Sequence, residues 1–426
     1  MKARIALALA ASLGLAACQA DDNLTPPASS SMSAASSQEN FLSLVPQPAL
    51  NNAQRNLLAT IRGRSSTAEV NLARIAGAPG QALQKGAVVR LGLAPGLQVV
   101  AVGQNRSDRS ADDFSWSGPV RGGQGWVQMV YADGGVTATV TVGNAQYSIE
   151  PLGDGLHAVT RIDQHGYPAE HTADNPTGAL AEALDATVKA KPGTGGTDGG
   201  TVGTQAISTQ NVLVVYTASA AAATSNIGSL IQLAVDETNQ SYANSGISIN
   251  MVKVATAQVT YNEAGAFSTH LSRLQGTTDG YMDNVHTLRN TYGADIVVLV
   301  LNDSEACGQA AAIKATATSA FAIAHYSCIT GYYSFGHEIG HLQGARHDRY
   351  VDSSTSPYAY GHGFIPASKS WRTIMAYGNN CNNCTRIQYW SSPLKTYSTG
   401  EVMGTVAYED NARVLNLTAP TVAAFR

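Results

Sequence analysis

Three of the chain's ten histidines lie close together in the stretch YYSFGHEIGHLQGARHD, at His337, His341 and His347, and Glu338 follows the first of them. Imidazole nitrogen is a common zinc ligand. Residues four apart on a helix share a face, so His337 and His341 can grip one ion together. Glu338 is one position round and points beside that ion, where a base acting on water belongs. Gly344 lets the chain leave the helix without a Cβ penalty, and the turn that follows delivers His347 as a third ligand. Three nitrogen ligands leave one tetrahedral position open, which separates a catalytic zinc site from a closed structural one. A lone H-E-x-x-H would say far less than this full set of fixed positions.

The elements that must hold this site follow from the flanking pattern. NVLVVYT (211–217), GISINMVKVA (246–255), ADIVVLVLN (294–302) and AFAIAHYS (320–327) read as strands. They alternate with helical stretches over 220–244 and 267–291, the second interrupted between Gly276 and Gly280. A helix is expected again around Ser334, and a last one near Glu409–Leu417. Strands alternating with helices argue for an α/β sheet. Upstream the grammar differs: WVQMVY (126–131), a turn at Asp133-Gly134-Gly135, VTATVTV (136–142) and YSIEPL read as an antiparallel meander. Between the two halves, KAKPGTGGTDGGTVGTQ (189–205) has almost no apolar bulk and reads as a flexible linker and a proteolysis site.

The chain start is basic at Lys2 and Arg4, then apolar from Ile5 to Ala17, a run too short to span a bilayer and of signal-peptide length. Leu15-Ala16-Ala17-Cys18 resembles a bacterial lipobox, in which Cys18 is acylated. An ordinary cleaved signal is the simpler alternative. The expected organisation is a signal with lipobox over 1–18, a tether over 19–45, a β-rich domain over 46–188, a linker over 189–208 and the site-bearing domain over 209–426. Four cysteines remain, all in the C-terminal half, and in an exported chain they favour two disulfides. Three connectivities are open, of which Cys307–Cys328 with Cys381–Cys384 is the expected one. A net charge of −4 gives no ground for nucleic acid or for a basic membrane-surface patch.

The motif HEIGHLQGARHD resembles the extended zinc motif of the metzincin clan of metalloendopeptidases, and RTIMAYG (372–378) is similar to that clan's methionine turn. Asp348, directly after the third histidine, resembles the reprolysin-like branch, whereas Tyr377 is closer to astacin-like and serralysin-like branches. With the lipobox-like start and the β-rich proregion, the chain looks most like the bacterial peptidyl-Asp metalloendopeptidase family. The specific motifs cover residues 337–378, and a looser likeness covers about 209–426.

The resemblance implies an α/β (α+β) metzincin catalytic domain with a twisted mixed sheet and an active-site helix, preceded by a mainly antiparallel β prodomain. It implies one Zn²⁺ on His337, His341 and His347, with Glu338 as general base and then acid, and Met375 as the floor of the site. Zinc there acidifies water and polarises the scissile carbonyl. Tyr377 is expected either to donate to the oxyanion or act as a displaceable ligand, or simply to pack under the turn. Asp348 is expected to anchor the loop after the ligand helix. A ligand glutamate on a second helix is excluded, since Glu401 and Glu409 begin no suitable motif and His347 fills the role.

The family likeness also implies cleavage on the N-terminal side of Asp, with Glu weaker. A desolvated carboxylate needs a paired cation, and the candidates are Arg346, Lys369, Arg372 and Arg386, with Arg386 and Arg372 favoured. His270, His286, His325 and His362 are read as packing or surface residues. No cysteine lies between Cys18 and Cys307, so latency by a proregion cysteine is excluded; the prodomain is expected to cover the cleft, with Asp163 or Glu170 as a candidate carboxylate. The expected partners are polypeptide substrates and the chain's own prodomain. Contact with a membrane is expected only through a lipid on Cys18, and the location at the cell envelope or outside it. The rival readings are a metzincin of other or broad specificity, and a non-enzymatic surface binding protein on the same fold.

Overall fold

Asp133 and Gly134 both take positive φ, 51° and 75°, the backbone that a two-residue hairpin turn needs to match strand twist. They join strand β7 (Gly125–Ala132) to β8 (Gly135–Val142), two neighbours in the N-terminal sheet. The computed structural model describes residues 40–169 and 206–426. The first stretch contributes eight more strands: β1 (Asn40–Leu44), β2 (Thr67–Ile75), β3 (Val88–Ala94), β4 (Leu97–Val102), β5 (Asn105–Ser110), β6 (Asp113–Pro119), β9 (Ala145–Gly153) and β10 (Leu156–Ile162). Their order is β4-β3-β1-β2-β10-β9-β8-β7-β6-β5, antiparallel throughout except for β1 against β3. A bridge from Ala101 to Val120 curls the sheet towards closure. In β3 burial alternates along the strand, so Val89, Leu91 and Leu93 point inward.

One sequence expectation needs correction here. The last part of the tether expected over 19–45 is a strand, because Asn40–Leu44 pairs with β2 and β3 and buries Phe41 and Leu42; residues 19–39 lie outside the described residues. Averaging over a polar stretch hides a short apolar run at its end. The β-rich region also contains a helix, Asn52–Gly63, closed by a reciprocal cap between Asn51 and Gln54. It covers the sheet with Leu58 and Ile61.

The second stretch forms a five-stranded sheet in the order β12-β11-β13-β15-β14. Its strands are β11 (Ser208–Thr217), β12 (Ile249–Val259), β13 (Ile296–Leu301), β14 (Gly308–Ala310) and β15 (Phe321–His325). The first four positions run parallel, and the edge strand β14 runs antiparallel to β15. Helices cover both faces, so β13 is buried along its whole length and reads as an unbroken apolar run. The helices span Ala218–Ala222, Ile227–Ser245, Phe267–Gln275, Asn284–Thr291, Ser334–Gln343 and Asn411–Val422. The interruption expected after residue 275 is present, and the last helix runs further than expected, through Pro420.

β14 escaped the sequence because Gly-Gln-Ala has neither β-branching nor alternation. The bonded cysteine pairs are Cys307–Cys328 and Cys381–Cys384, with Cα separations of 5.5 and 5.4 Å. No helix among the described residues is long and apolar enough to cross a membrane.

Candidate active site

The helix Ser334–Gln343 is buried along its whole length. Phe335, Ile339 and Leu342 join the apolar cluster under the sheet, while His337 and His341 share the opposite face with ring centroids 4.8 Å apart. Gly344 ends the helix at φ 108°, a conformation a Cβ penalises. The chain then reverses. Ala345 N–H donates to Gly340 O at 2.8 Å and Arg346 N–H to Gly361 O at 2.7 Å. That path brings His347 back over the helix.

The three rings converge. His347 Nε2 lies 3.2 Å from His337 Nε2 and 2.9 Å from His341 Nε2. His337 Nδ1 faces Ile374 O and His341 Nδ1 faces Ala345 O, each at 2.9 Å. Each Nδ1–H is thereby committed to a carbonyl, so in the neutral rings the Nε2 atoms carry lone pairs turned inward. A single proton on His347 Nε2 can satisfy one of those neighbours but not both, whereas one cation satisfies all three nitrogens. Burial pulls all three imidazoles below the ordinary histidine range, His341 to about 4. They are therefore neutral, the form that ligates metal. Ligand type, number and closeness fit a zinc ion.

Glu338 is fully buried beside this cluster, and its carboxylate lies against β14. A Cβ placed on Gly308 would fall 2.6 Å from Glu338 Cγ and 2.7 Å from Cδ. Met375 is also fully buried, and its Sδ lies 3.1 Å from the position of a Cβ on Gly340. The methionine turn is tied to the ligand loop by Asp348, whose Oδ2 accepts from Tyr377 N–H at 2.8 Å and whose Oδ1 accepts from Tyr350 N–H at 3.1 Å. The Tyr377 ring packs on His347 at 4.2 Å between centroids.

The four candidate cations separate into two pairs. Arg346 pairs with Asp352 at 2.7 Å, and Lys369 is exposed and donates to Asn380 Oδ1. Arg372 and Arg386 are both buried, at 2% and 1% exposure, and both meet Tyr332. Arg372 Nη2 donates to the Tyr332 hydroxyl at 3.0 Å; Arg386 Nη1 donates to Tyr332 O at 3.1 Å and lies over the ring. After burial and His341, the charge of Arg386 contributes to holding His337 neutral, and Arg372 adds to it. Asp163, a candidate to cover the cleft, is instead committed to its own turn, accepting from His165 N–H at 3.0 Å and Nδ1 at 2.7 Å. Glu170 lies outside the described residues.

Sequence reasoning missed three supports. His362, read as ordinary packing, faces His347 O with Nδ1 at 2.8 Å and Ser354 O with Nε2 at 2.9 Å, and so braces the third ligand's backbone. Gly308 makes room for the Glu338 carboxylate. Trp390 lies against Gly340, its ring 2.6 Å from where a Cβ would sit. The spacing of a single sequence carries no signal for any of them.

The Reprolysin_5 model of metallo-peptidase family M12 matches residues 207–391. A peptidyl-Asp metalloendopeptidase of Xanthomonas campestris pv. campestris is 45% identical over 293 residues, covering 68% of this chain and 67% of that one. One from Stenotrophomonas maltophilia strain K279a is also 45% identical, over 297 residues, covering 68% of each chain. Another from S. maltophilia strain R551-3 is 44% identical over 306 residues, covering 70% of each. Set beside the converging imidazoles, these likenesses mean that the chain belongs to the peptidyl-Asp metalloendopeptidase family of zinc-dependent peptidases.

Proposed function

We propose that this zinc metalloendopeptidase cuts on the N-terminal side of aspartate, more weakly before glutamate, with Glu338 as the proton carrier. His337, His341 and His347 could hold the zinc ion, which when bound supplies Lewis acidity to water and to a peptide carbonyl. Glu338, next to a ligand on the same buried helix, takes the proton from the attacking water. The same carboxyl returns it to the departing amine, so one group serves both transfers. Desolvation keeps that proton from leaking to bulk solvent. The Tyr377 ring packs against His347, and the role proposed for its hydroxyl is donation to an oxyanion.

The aspartate preference is supported by one observation above the others: two buried guanidinium groups, Arg386 and Arg372, whose charge reaches His337. A carboxylate entering a desolvated pocket needs such a partner, and Arg can meet it with two parallel hydrogen bonds. The test is mass-spectrometric mapping of the bonds cut in casein by the wild-type enzyme and by Arg386→Ala. The preference for Asp is expected to fall about tenfold or more; an unchanged preference removes Arg386 from the role.

Beyond the site, export with a lipid on Cys18 is supported by the basic and apolar start of the sequence, and radiolabelled fatty acid should enter the wild-type chain but not Cys18→Ala. Residues 46–188 are read as an inhibitory propeptide, removed when the linker over 189–208 is cut. N-terminal sequencing of mature enzyme tests that, since a mature chain beginning at Cys18 contradicts it.

A further inference from the structure

We propose that the N-terminal β-rich unit is a separable inhibitor that rebinds the catalytic unit in trans once the chain between them is cut, and that Gln146, Gln164 and Tyr167 are its contacts beside the active site. The inference rests on the propeptide reading and goes beyond it, because it assigns the surface that holds the two units together and makes their association reversible.

One set of apolar clusters draws only on residues 41–159, and the other only on residues after 206. Among the described residues, the one small apolar cluster that both sides share contains Cys307, Cys328 and Tyr332, with Tyr167 packed on it. Among the described residues each side thus has its own core, and no larger apolar cluster spans the two. The helix Ile227–Ser245, which packs on β7 and β8, also meets that sheet through polar groups, Asp236 accepting from Ser115 Oγ. Interfaces of that kind resemble transient associations rather than obligate ones.

What joins the units is mostly polar. Gln146 Nε2 donates to Gly331 O at 2.9 Å and to the Tyr333 hydroxyl at 3.0 Å. Gln164 straddles the backbone of Arg386, accepting from its N–H at 2.7 Å and donating to its carbonyl at 3.2 Å, as a paired strand would. Tyr167 stacks on Tyr332 with centroids 4.4 Å apart. Ala169 O then accepts from Cys307 N–H at 3.0 Å.

These positions explain why binding would inhibit. Cys307 adjoins Gly308, the residue against which Glu338 lies, and Arg386 is the cation proposed to read the substrate. The segment from Gln164 to Ala169 therefore lies along one wall of the site and occupies backbone groups that a polypeptide would otherwise reach. Inhibition of this kind competes with substrate and needs no metal-binding side chain from these residues.

The experiment uses the full chain, cut in the linker over 189–208 by a trace of added protease. Activity on a casein-derived peptide is then followed while the cut sample is diluted from micromolar to nanomolar. The inference expects the two fragments to elute together at high concentration with little activity, and activity to emerge on dilution. Gln164→Ala, and separately Tyr167→Ala, should raise the concentration at which activity emerges by about tenfold. Lys85→Ala, exposed on the same unit, should leave it unchanged. Circular dichroism checks folding; should Tyr167→Ala unfold, Gln164→Ala alone decides. Full activity at once on cutting, independent of concentration, overturns reversible rebinding while leaving the propeptide reading intact. An uncut chain as active as the cut one overturns the propeptide reading itself. An unmoved transition in a folded Gln164→Ala removes that residue from the interface.

Discussion

Gly308 on the edge strand of the catalytic sheet lies so close to Glu338 that a Cβ there would fall 2.6 Å from Cγ and 2.7 Å from Cδ of that side chain. Glu338 is fully buried, so its carboxylate has little space into which to retreat. Gly308→Ala is therefore expected to displace the carboxylate while sparing the three imidazoles. Activity should fall by about a hundredfold, a size typical of a mispositioned acid-base group. Zinc content by atomic absorption should stay at the wild-type value. Normal kcat with a bound metal would show that Glu338 does not depend on this gap.

Removal of the carboxylate's basicity gives a sharper test of the same group. Glu338→Gln preserves shape and is expected to lower kcat by about 10²–10⁴ with zinc retained. His347→Ala is expected to lose both zinc and activity, because two nitrogens from one helix cannot enclose the ion. Chelation of the wild-type enzyme should abolish activity, and added zinc should restore it. A Glu338→Gln variant that hydrolyses casein at the wild-type rate ends the assignment.

The histidine cluster was legible in the sequence because it is local. His337, His341 and Glu338 sit on one helix, and Gly344 and His347 complete the turn within a few residues, so spacing alone describes their geometry. The parallel strands were legible for a related reason: β11 and β13 are buried on both faces and spell continuous apolar runs. Contacts between distant segments were not legible. His362 bracing His347, Gly308 against Glu338, and Gln164 on the backbone of Arg386 each join residues whose proximity arises from tertiary packing. Short elements failed as well. β14 has three residues and owes its existence to pairing with β15, and Asn40–Leu44 is a strand because β2 and β3 flank it.

Glu237 is expected to give the assembled chain a pH dependence. It is 2% exposed on the helix Ile227–Ser245, where Gly331 N–H donates to it at 2.9 Å and Thr139 of the N-terminal unit also hydrogen-bonds to it. Burial pushes its carboxyl up to about 8, with Asp236 adding to the effect. An unfolded chain restores an ordinary value of about 4.3. Below that value both states hold the proton and no stability is lost. As pH rises from there to about 8, the unfolded state ionises while the folded one does not, and each pH unit costs up to ~1.4 kcal/mol. Thermal unfolding of Glu237→Gln should therefore lose much of the decline that the wild type shows across that window. Parallel Tm–pH curves for the two proteins would contradict the assignment.

Gly340 sets helix propensity against packing. Replacing glycine by alanine inside a helix ordinarily stabilises by about 1 kcal/mol. Here the new Cβ would meet the Trp390 ring at 2.6 Å and Met375 Sδ at 3.1 Å. Trp390 cannot readily give way, since its Nε1 donates to Ser241 Oγ at 2.8 Å and its backbone N–H to Ser245 Oγ at 2.9 Å, with Tyr242 stacked on it. Overpacking a core that cannot relax costs about 1–3 kcal/mol, so packing is expected to outweigh propensity. Gly340→Ala should lower Tm by several degrees and weaken zinc binding, because the methionine that shifts lies beneath the ligand helix and next to Ile374, whose carbonyl orients His337. Calorimetry read beside a zinc titration decides it: a higher Tm with unchanged zinc affinity would mean that Trp390 moves aside and that the close fit beneath the ligands has no structural role.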